Sequence, residues 1–375
     1  MNKLTRRYYQ LKMIPLIAFS KIMSLFHKEK HWVLHERGTD ARDNAYFFYR
    51  YLKEKHPEQK VYYIIDKNSP DYCKVAEDAV QFGSLKNYWA IATAEKIIST
   101  HCFYGLPGMN AKLFRFCGLS RKFYFLQHGI TGNYIPLMHY NNAKIKMLFC
   151  AAKPEYDFML SRYGYPETNL RYTGFARYDT LHDIETKKQI LIMPTWRNYI
   201  TDEQDFLESQ YYLHWNQLLN DPQLAEYLVN NDLTAVFYPH LEAQKYLHTF
   251  QSGSERIILA DFAHYDVQTL LKESALLITD YSSVFFDFGY MKKPLVYFQF
   301  DLEEFFYRHC DRGYFSYAEM GFGPVVDNVS AVVDAVAGSV ENGLVPTEVY
   351  SERMKTFFPL CDQKNCERIY QCVTE

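Results

Sequence analysis

Several polar residues stand directly after apolar, strand-like runs, which is the position where open parallel sheets bind their ligands. The most informative run is Leu276–Thr279, which is followed by Asp280, Ser282 and Ser283. The serines are placed to cap a helix that runs through Asp287. A helix that starts at a strand end presents unpaired amides and a positive dipole end, so this segment predicts a phosphate site. Taken alone, the segment is also compatible with a plain helix cap.

Two further apolar runs in the second half of the chain end in residues that suit phosphate chemistry. Thr195 and Arg197 follow Ile190–Met193, and an arginine in this position can bind a phosphate with two hydrogen bonds. His240 follows Thr234–Tyr238, and the proline before it stiffens the chain and aims the ring. A surface ion pair for Arg197 and a structural role for His240 are the alternatives. Three such strand ends together favour a shared site.

The first half of the chain has a matching feature at His128, which follows the run 122–126. Gly129 lets the chain turn sharply there at little steric cost. A neutral imidazole in this position can take a proton from an acceptor hydroxyl. Arg177, at the end of the first half, is predicted either to reach the ligand or to pair with Asp179.

A dense run of charge around Gly38 follows the first strand-like run of the chain. Its members are Glu36, Arg37, Asp40, Arg42 and Asp43. A solvated surface and an acceptor-binding loop are equally weighted interpretations of this run.

Strand-like and helical patterns alternate along the chain, which favours parallel sheets flanked by helices. In the first half we expect strands at 31–34, 61–65, 96–99, 122–126 and 147–151, and helices at 44–55 and 84–93. In the second half we expect strands at 190–193, 234–238, 256–259, 276–279 and 295–297. The fold class is therefore α/β, with two Rossmann-like domains at 31–186 and 187–345 whose parallel sheets face a central cleft. A C-terminal helical segment, 346–375, is expected to pack back on the first domain.

The composition narrows the classes of function. With 375 residues the chain is long enough for two domains, and a net charge of −3 gives no basic field for nucleic acid. Its eight cysteines are scattered without zinc-ligand spacing, which indicates a reducing cytoplasm. No cluster of Asp and His has metal-ligand spacing, so we predict no tightly bound cofactor or metal. A loose Mg²⁺ on the substrate is left open.

Residues 1–30 differ in character from the rest of the chain. They carry seven Lys or Arg against one acidic residue, with apolar residues between them. The apolar run is too short to span a bilayer, and no small-residue cleavage site follows it. The segment predicts a basic amphipathic element that lies on an anionic leaflet, at the cytoplasmic face of the membrane. An ordinary core helix with a solvated basic face is the alternative.

Six motifs, taken together and in this order, resemble the CDP-glycerol glycerophosphotransferase family of teichoic-acid and capsule synthesis. They span residues 31–330, nearly the whole chain apart from its two ends. The motifs are His128-Gly129, Gly174–Asp179, Pro194–Arg197, Pro239-His240, Asp280–Ser283 with Asp287, and Asp311–Pro324.

The resemblance implies a GT-B fold in which the second domain holds most of the donor, and two catalytic histidines, His128 and His240. It also implies Glu319 as a ligand of the donor's ribose. The sequence departs from the family at His-Gly-Ile-Thr-Gly, where the family often has His-Gly-Thr-Pro. Pro239 precedes His240, whereas the family's second histidine usually precedes a proline. The acceptor loop can differ as well, so the identity of the acceptor does not carry over.

The reaction implied is transfer of glycerol phosphate from CDP-glycerol to a hydroxyl of a polymer or lipid-linked acceptor, with release of CMP. The predicted donor-binding residues are Thr195, Arg197, Asp280, Ser282, Ser283, Asp287, Glu319 and Arg177. The predicted acceptor-binding residues are Glu36, Arg37, Asp40 and Gly129. A CDP-ribitol-dependent transferase, a nucleotide-sugar glycosyltransferase or epimerase of the same fold, and a non-catalytic membrane tether stay open as alternatives.

Overall fold

The computed structural model describes residues 3–24 and 30–375, which form two compact α/β units. The first unit consists of Met1–Ile130, Pro136–Thr180 and Asp362–Glu375, and the second of Thr131–Ile135 and Leu181–Cys361. Part of the predicted N-terminal segment, residues 25–29, lies outside the described residues.

The first unit is built on a parallel sheet of seven strands among the described residues, in the order β3-β2-β1-β4-β5-β6-β7. The strands are β1 (Trp32–His35), β2 (Val61–Ile65), β3 (Ala79–Gln81), β4 (Lys96–Ser99), β5 (Phe123–Phe125), β6 (Met147–Cys150) and β7 (Leu170–Tyr172). The central strands are mainly apolar runs that are buried on both faces, as a sheet covered by helices requires. Successive strands extend the sheet in one direction from β1 to β3 and in the opposite direction from β4 to β7. The carboxyl ends of the parallel neighbours β1 and β4 therefore form the switch point where such sheets bind ligands.

Helices and short 3-10 segments connect these strands. The α-helices are α1 (Lys3–Ser24), α2 (Asn44–Lys55), α3 (Leu85–Thr93), α4 (Ala111–Phe116), α5 (Tyr140–Ala143) and α6 (Lys153–Arg162). The 3-10 segments are Tyr72–Lys74, Ala76–Asp78, Leu119–Lys122, Pro136–Met138, Glu167–Asn169 and Ala176–Thr180. Helix α1 packs against α3 and buries Met13 and Ile17.

The second unit repeats the same design with a parallel sheet in the order β10-β9-β8-β11-β12-β13. Its strands are β8 (Lys187–Ile192), β9 (Thr234–Phe237), β10 (Ile257–Leu259), β11 (Ser274–Thr279), β12 (Leu295–Phe298) and β13 (Val325–Val326). Its helices are α7 (Glu203–Glu208), α8 (Gln210–Leu219), α9 (Pro222–Asn230), the 3-10 segment Gln244–Thr249, α10 (Val267–Glu273), α11 (Val284–Tyr290), α12 (Leu302–Arg308), α13 (Tyr317–Met320) and α14 (Val329–Glu341).

The last two helices belong to different units, which differs from the predicted segment 346–375. Helix α15 (Glu348–Phe357) lies in the second unit, and α16 (Asn365–Thr374) lies in the first. Asp179 fixes α16, because its carboxylate accepts hydrogen bonds from the Asn365 and Cys366 backbone amides at 2.9 and 2.8 Å. Gly174 adopts a φ of +81°, and a Cβ there would lie 1.8 Å from the Asn365 side chain. This close approach explains why glycine stands at position 174.

All ten predicted strands are present, with small shifts at their ends. The strands that the sequence did not predict are β3, β7 and β13, and each lies at the edge of its sheet. An edge strand is short and half-exposed, so it lacks the apolar run that identifies a central strand.

A buried ion cluster connects the strand ends of the second unit. Arg197 has no solvent exposure. Its guanidinium contacts both carboxylate oxygens of Asp301 at 2.7 and 2.9 Å, and a carboxylate oxygen of Asp280 at 2.9 Å. Burial alone lowers the pKa of Arg197, but Asp280 and Asp301 raise it, so the group stays charged. The cluster therefore joins the chain that follows β8 to the chain that follows β11 and β12.

We predict that Arg197→Ala destabilises the second unit by about 3–5 kcal/mol, because Asp280 and Asp301 would be left as buried, uncompensated charges. Urea unfolding of the ligand-free protein measures this. Arg308→Ala is the matched control, since Arg308 is half-exposed and pairs with Glu304 on the surface, and we expect it to cost less than about 1 kcal/mol. Equal unfolding midpoints for Arg197→Ala and wild type would contradict the structural role of the cluster.

Candidate functional site

The predicted base, His128, is presented by a strained turn at the end of β5. The residue before it, Gln127, adopts a left-handed φ of +57°, which costs a non-glycine residue about 1–2 kcal/mol. The buried Gln127 side chain holds this conformation by donating to the Phe149 carbonyl at 2.8 Å and to the Glu155 carboxylate at 3.1 Å. Gly129 does not have a positive φ. The sharp turn predicted at Gly129 is therefore made one residue before the histidine.

Asn44 fixes the same turn from the start of α2. Its side-chain amide donates to the Gln127 carbonyl at 2.8 Å, and its side-chain oxygen accepts from the Arg177 backbone amide at 3.0 Å. Asn44 is fully buried. One neutral side chain thus connects the His128 turn to the segment that carries Arg177.

Arg177 lies beside this turn in the first unit, but as part of an ion pair. It is buried, and its guanidinium contacts the Asp43 carboxylate at 3.0 Å. The predicted alternative partner, Asp179, instead caps α16. Arg177 is therefore not positioned as a simple phosphate ligand, because its charge is already matched by Asp43.

A second histidine, which the sequence analysis did not single out, lies against His128. His101 follows β4, the neighbour of β5 in the sheet, and the two imidazole rings stack with centroids 4.7 Å apart and planes 8° from parallel. The rule that identified His128, a polar residue directly after a strand, also applies to His101 after the predicted strand 96–99. The signal was present in the sequence.

The surroundings of His128 favour its neutral form. Burial by neighbouring atoms lowers the pKa of His128, and Arg37 and Arg177 lower it further, whereas Asp43 and a hydrogen bond to the Thr100 backbone raise it. The residue is nevertheless exposed to solvent. A solvent-accessible, neutral imidazole is the form that can accept a proton.

The predicted acceptor loop divides into buried and accessible residues. Glu36 is buried, and its carboxylate accepts from the backbone amides of Arg42, Asp43 and Tyr46 at 2.8 to 3.2 Å. Burial and then Asp43 raise the pKa of Glu36 to about 8. The acceptor-binding prediction for Glu36 is therefore corrected, because its carboxylate organises the loop and the start of α2.

Arg37 and Asp40 are the accessible members of this loop. The Arg37 guanidinium lies 3.6 Å from the Asp40 carboxylate and donates from Nε to His101 Nε2 at 3.3 Å. The structure thus brings Arg37 to the histidine pair, in a position that agrees with a role near the base.

In the second unit, the ends of β8 and β11 lie side by side at the switch point. The Thr195 backbone amide donates to the Asp280 carboxylate at 2.8 Å. Asp280 is fully buried and also pairs with Arg197. The predictions that Arg197 and Asp280 bind the donor directly are corrected, because a buried guanidinium must be neutralised by buried carboxylates and this pairing occupies both groups.

Other polar groups at these strand ends take no part in the ion cluster. The Thr195 hydroxyl is buried without a hydrogen-bond partner among the described residues. Ser282 is half-buried and Ser283 is exposed, and the Ser283 side chain makes no capping bond to α11. Asp287 is buried within α11. The structure thus brings Thr195 and the two serines to neighbouring strand ends with hydroxyls that can serve a ligand.

His240 follows β9, next to β8, and is exposed. Its Nδ1 accepts from the Glu242 backbone amide at 3.3 Å, which assigns the proton of the neutral ring to Nε2. His309, which the sequence analysis missed, lies nearby. Burial, with smaller contributions from Arg197 and His240, lowers the pKa of His309 to about 4. No strand precedes His309, so no sequence pattern identified it.

The remaining predicted site residue, Glu319, is exposed on α13. Among the described residues there is no group of three or more His, Cys, Asp or Glu that could hold a metal ion. Within the same residues, no helix combines the length and apolar character that crossing a membrane requires.

Comparison with known proteins places these features in a family. The chain is 33% identical over 373 residues to the minor teichoic acid biosynthesis protein GgaB of Bacillus subtilis, covering 94% of this chain and 41% of that protein. It is 28% identical over 329 residues to the teichoic acid poly(glycerol phosphate) polymerase of the same species, covering 80% of this chain and 42% of that protein. The chain thus spans about two fifths of the length of these relatives.

The fold has a counterpart among solved structures. The wall teichoic acid polymerase TagF superposes with a TM-score of 0.67 at 16% identity, over 100% of this chain and 98% of that chain. The predicted GT-B-like α/β class is confirmed. The family model of CDP-glycerol:poly(glycerophosphate) glycerophosphotransferases matches residues 17–375, and the chain therefore belongs to that family.

Proposed function

We propose that this chain transfers glycerol phosphate from CDP-glycerol to a hydroxyl of a cell-envelope polymer, either a teichoic acid or a capsular polysaccharide, and releases CMP. Family membership supports the reaction class. The observation that carries the proposal is His128, a neutral and accessible imidazole held on a fixed turn after β5. CDP-ribitol is the alternative donor.

In the proposed reaction, His128 accepts the proton of the acceptor hydroxyl as its oxygen attacks the distal phosphorus of the donor. The bond from that phosphorus to the bridging oxygen breaks, and CMP leaves. Phosphoryl transfer depends mainly on positioning and on stabilisation of charge. A turn held by two buried amides, Gln127 and Asn44, meets the positioning requirement for the base.

On the donor side, we assign direct contacts to Thr195, Ser282, Ser283 and His240. The unpartnered Thr195 hydroxyl and the serine hydroxyls supply neutral donors, and a His240 ring protonated at Nε2 supplies another. Arg197 and Asp280 make no direct contact with the donor in this assignment, but they fix the strand ends. Asp287, about one turn into α11, is assigned to bind the polyol or to orient an imidazole. Glu319 keeps the ribose-binding role that the resemblance implies. We propose that no tightly bound metal is needed.

We predict CMP release from CDP-glycerol in the presence of a teichoic-acid or capsule-oligomer acceptor, with and without EDTA. His128→Ala should lower kcat at least about a hundredfold, because one general base contributes about 10²–10⁴ in rate. His264→Ala is the matched control, since His264 is exposed and pairs with nearby Asp261, and it should leave the rate unchanged.

Chromatography of the nucleotide product measures the reaction, with CDP-ribitol and UDP-sugars as parallel donors. If CMP is released from CDP-ribitol but not from CDP-glycerol, the donor is CDP-ribitol. A nucleoside diphosphate from a UDP-sugar, with no CMP from either CDP-polyol, would favour the glycosyltransferase alternative. An unchanged rate in His128→Ala would end its assignment as the base.

We also propose that α1 lies on the anionic cytoplasmic leaflet, as a peripheral attachment. While one face of α1 packs on α3, the opposite face exposes a second apolar stripe with helical spacing. Its members are Tyr8, Leu11, Ile14, Phe19 and Ile22. Residues 3–24 contain five basic residues and no acidic residue. An exposed apolar stripe flanked by positive charge fits the boundary between lipid headgroups and acyl chains.

We predict that the protein floats with anionic liposomes, and that replacing Leu11, Phe19 and Ile22 by serine together releases it. Each fully buried apolar side chain contributes about 1.5–3 kcal/mol to membrane binding. Serine replacement of three exposed residues of the second unit, Val229, Tyr307 and Val349, is the control and should leave flotation unchanged. If both triple variants partition like wild type, the stripe does not attach the protein to lipid.

A further inference from the structure

The stacked imidazoles of His101 and His128 are held by hydrogen bonds that define the state of His101. Arg37 donates from Nε to His101 Nε2 at 3.3 Å, so that nitrogen must carry a lone pair. The proton of His101 therefore sits on Nδ1, which lies 3.0 Å from the Thr100 hydroxyl oxygen and donates to it. A guanidinium cannot give up its proton, so protonation of His101 would break the Arg37 bond and place two cations together.

The stack covers one face of the His128 ring with this neutral imidazole. The ring centroids are 4.7 Å apart, which is within the range of offset aromatic stacking. The arrangement follows from topology, because His101 and His128 follow adjacent parallel strands, β4 and β5. Neither residue can move far, since Thr100 is buried and the Gln127 turn is fixed.

The charged groups around the pair come from three further segments. Arg37 follows β1 and contributes a positive charge beyond His101. Asp43, at the N-cap of α2, is the group of opposite charge, but the Arg177 guanidinium lies 3.0 Å from it. His35, whose charge state influences His101, is buried. Its Nδ1 lies 2.8 Å from the Glu36 carbonyl oxygen, and burial lowers its pKa to about 4. The environment of His128 thus contains no uncompensated negative charge among these groups.

We propose that His101 is a positioning residue for His128: stacked on its ring and locked neutral by Arg37, it fixes the orientation of the base and keeps it in its unprotonated form. This inference rests on the proposed role of His128, and it adds a residue that none of the six motifs contains. The directions of the pKa shifts agree with it, since burial, then His128 and Arg37, lower the pKa of His101 to about 2.

The test is a pH titration of the histidine Cε1–H signals of the full chain by NMR, with His128 assigned by its absence from His128→Ala. We expect His128 in wild type to titrate below the ordinary histidine value of about 6.5. His101→Asn removes the stacked ring and exposes the covered face of His128 to water, so the midpoint of the His128 titration should rise by about one pH unit. His101→Phe keeps a stacked ring and should hold His128 near its wild-type value.

The same variants are then followed by the pH dependence of kcat. A higher pKa of the base moves the acidic limb of the profile to higher pH. For each pH unit that this limb moves, the rate of His101→Asn at low pH should fall about tenfold relative to its rate at high pH. His56→Asn is the matched control, because His56 also stacks on an aromatic ring, with its centroid 3.6 Å from that of Tyr370, and it should change neither readout.

If His101→Asn does not fold, Arg37→Met provides the second test. Arg37 is exposed, so its replacement should not prevent folding. Removal of its charge should also move the His128 titration to higher pH. An unchanged His128 titration in both His101→Asn and Arg37→Met would overturn the proposal. The titration does not depend on turnover, so a shifted His128 in a protein that releases no CMP would refute the proposed function and leave the histidine pair intact.

Discussion

Arg197 carries a positive charge in a position that water does not reach, and the ligand-facing edge of the second unit is arranged to neutralise it. An isolated buried guanidinium would be strongly unfavourable, so carboxylates must approach it from separate segments. Asp280 follows β11 and Asp301 follows β12, and both contact Arg197 within 3 Å. Asp280 in turn accepts the Thr195 amide. The position of the Thr195 hydroxyl therefore depends on an ion cluster that is itself buried.

In the first unit, the turn that carries His128 is held mainly by neutral groups. Its critical turn at Gln127 is held by amide side chains rather than by charge, and the nearby charges of Asp43 and Arg177 balance each other. The difference suits the chemistry that we propose. A base must stay unprotonated, so an uncompensated carboxylate beside it would be harmful, whereas a site for anionic phosphates gains from a rigid frame whose charges are satisfied internally.

Much of the fold could be predicted from the sequence, because central strands of parallel sheets are continuous apolar runs. All ten predicted strands exist, and polar residues do cluster at their carboxyl ends. Periodicity could not reveal which way a strand-end side chain points. Glu36 and Arg197 both follow strands and both point inward, where they organise backbone amides or carboxylates. Likewise His309 follows a helix, and only the tertiary structure brings it near His240.

The inward-pointing residues show that not every residue of a family motif contacts a ligand. The motif Pro194–Arg197 contains one residue that can face a ligand, Thr195, and one that builds the frame, Arg197. Asp280–Ser283 divides in the same way between a buried carboxylate and accessible serine hydroxyls. A motif match therefore identifies two kinds of residue together: buried residues that fix the strand ends, and residues that can contact a ligand. Burial in the structure distinguishes the two. Conversely, His101 lies outside every motif yet contacts the ring of the proposed base. Roles in this family must accordingly be assigned from contacts, residue by residue.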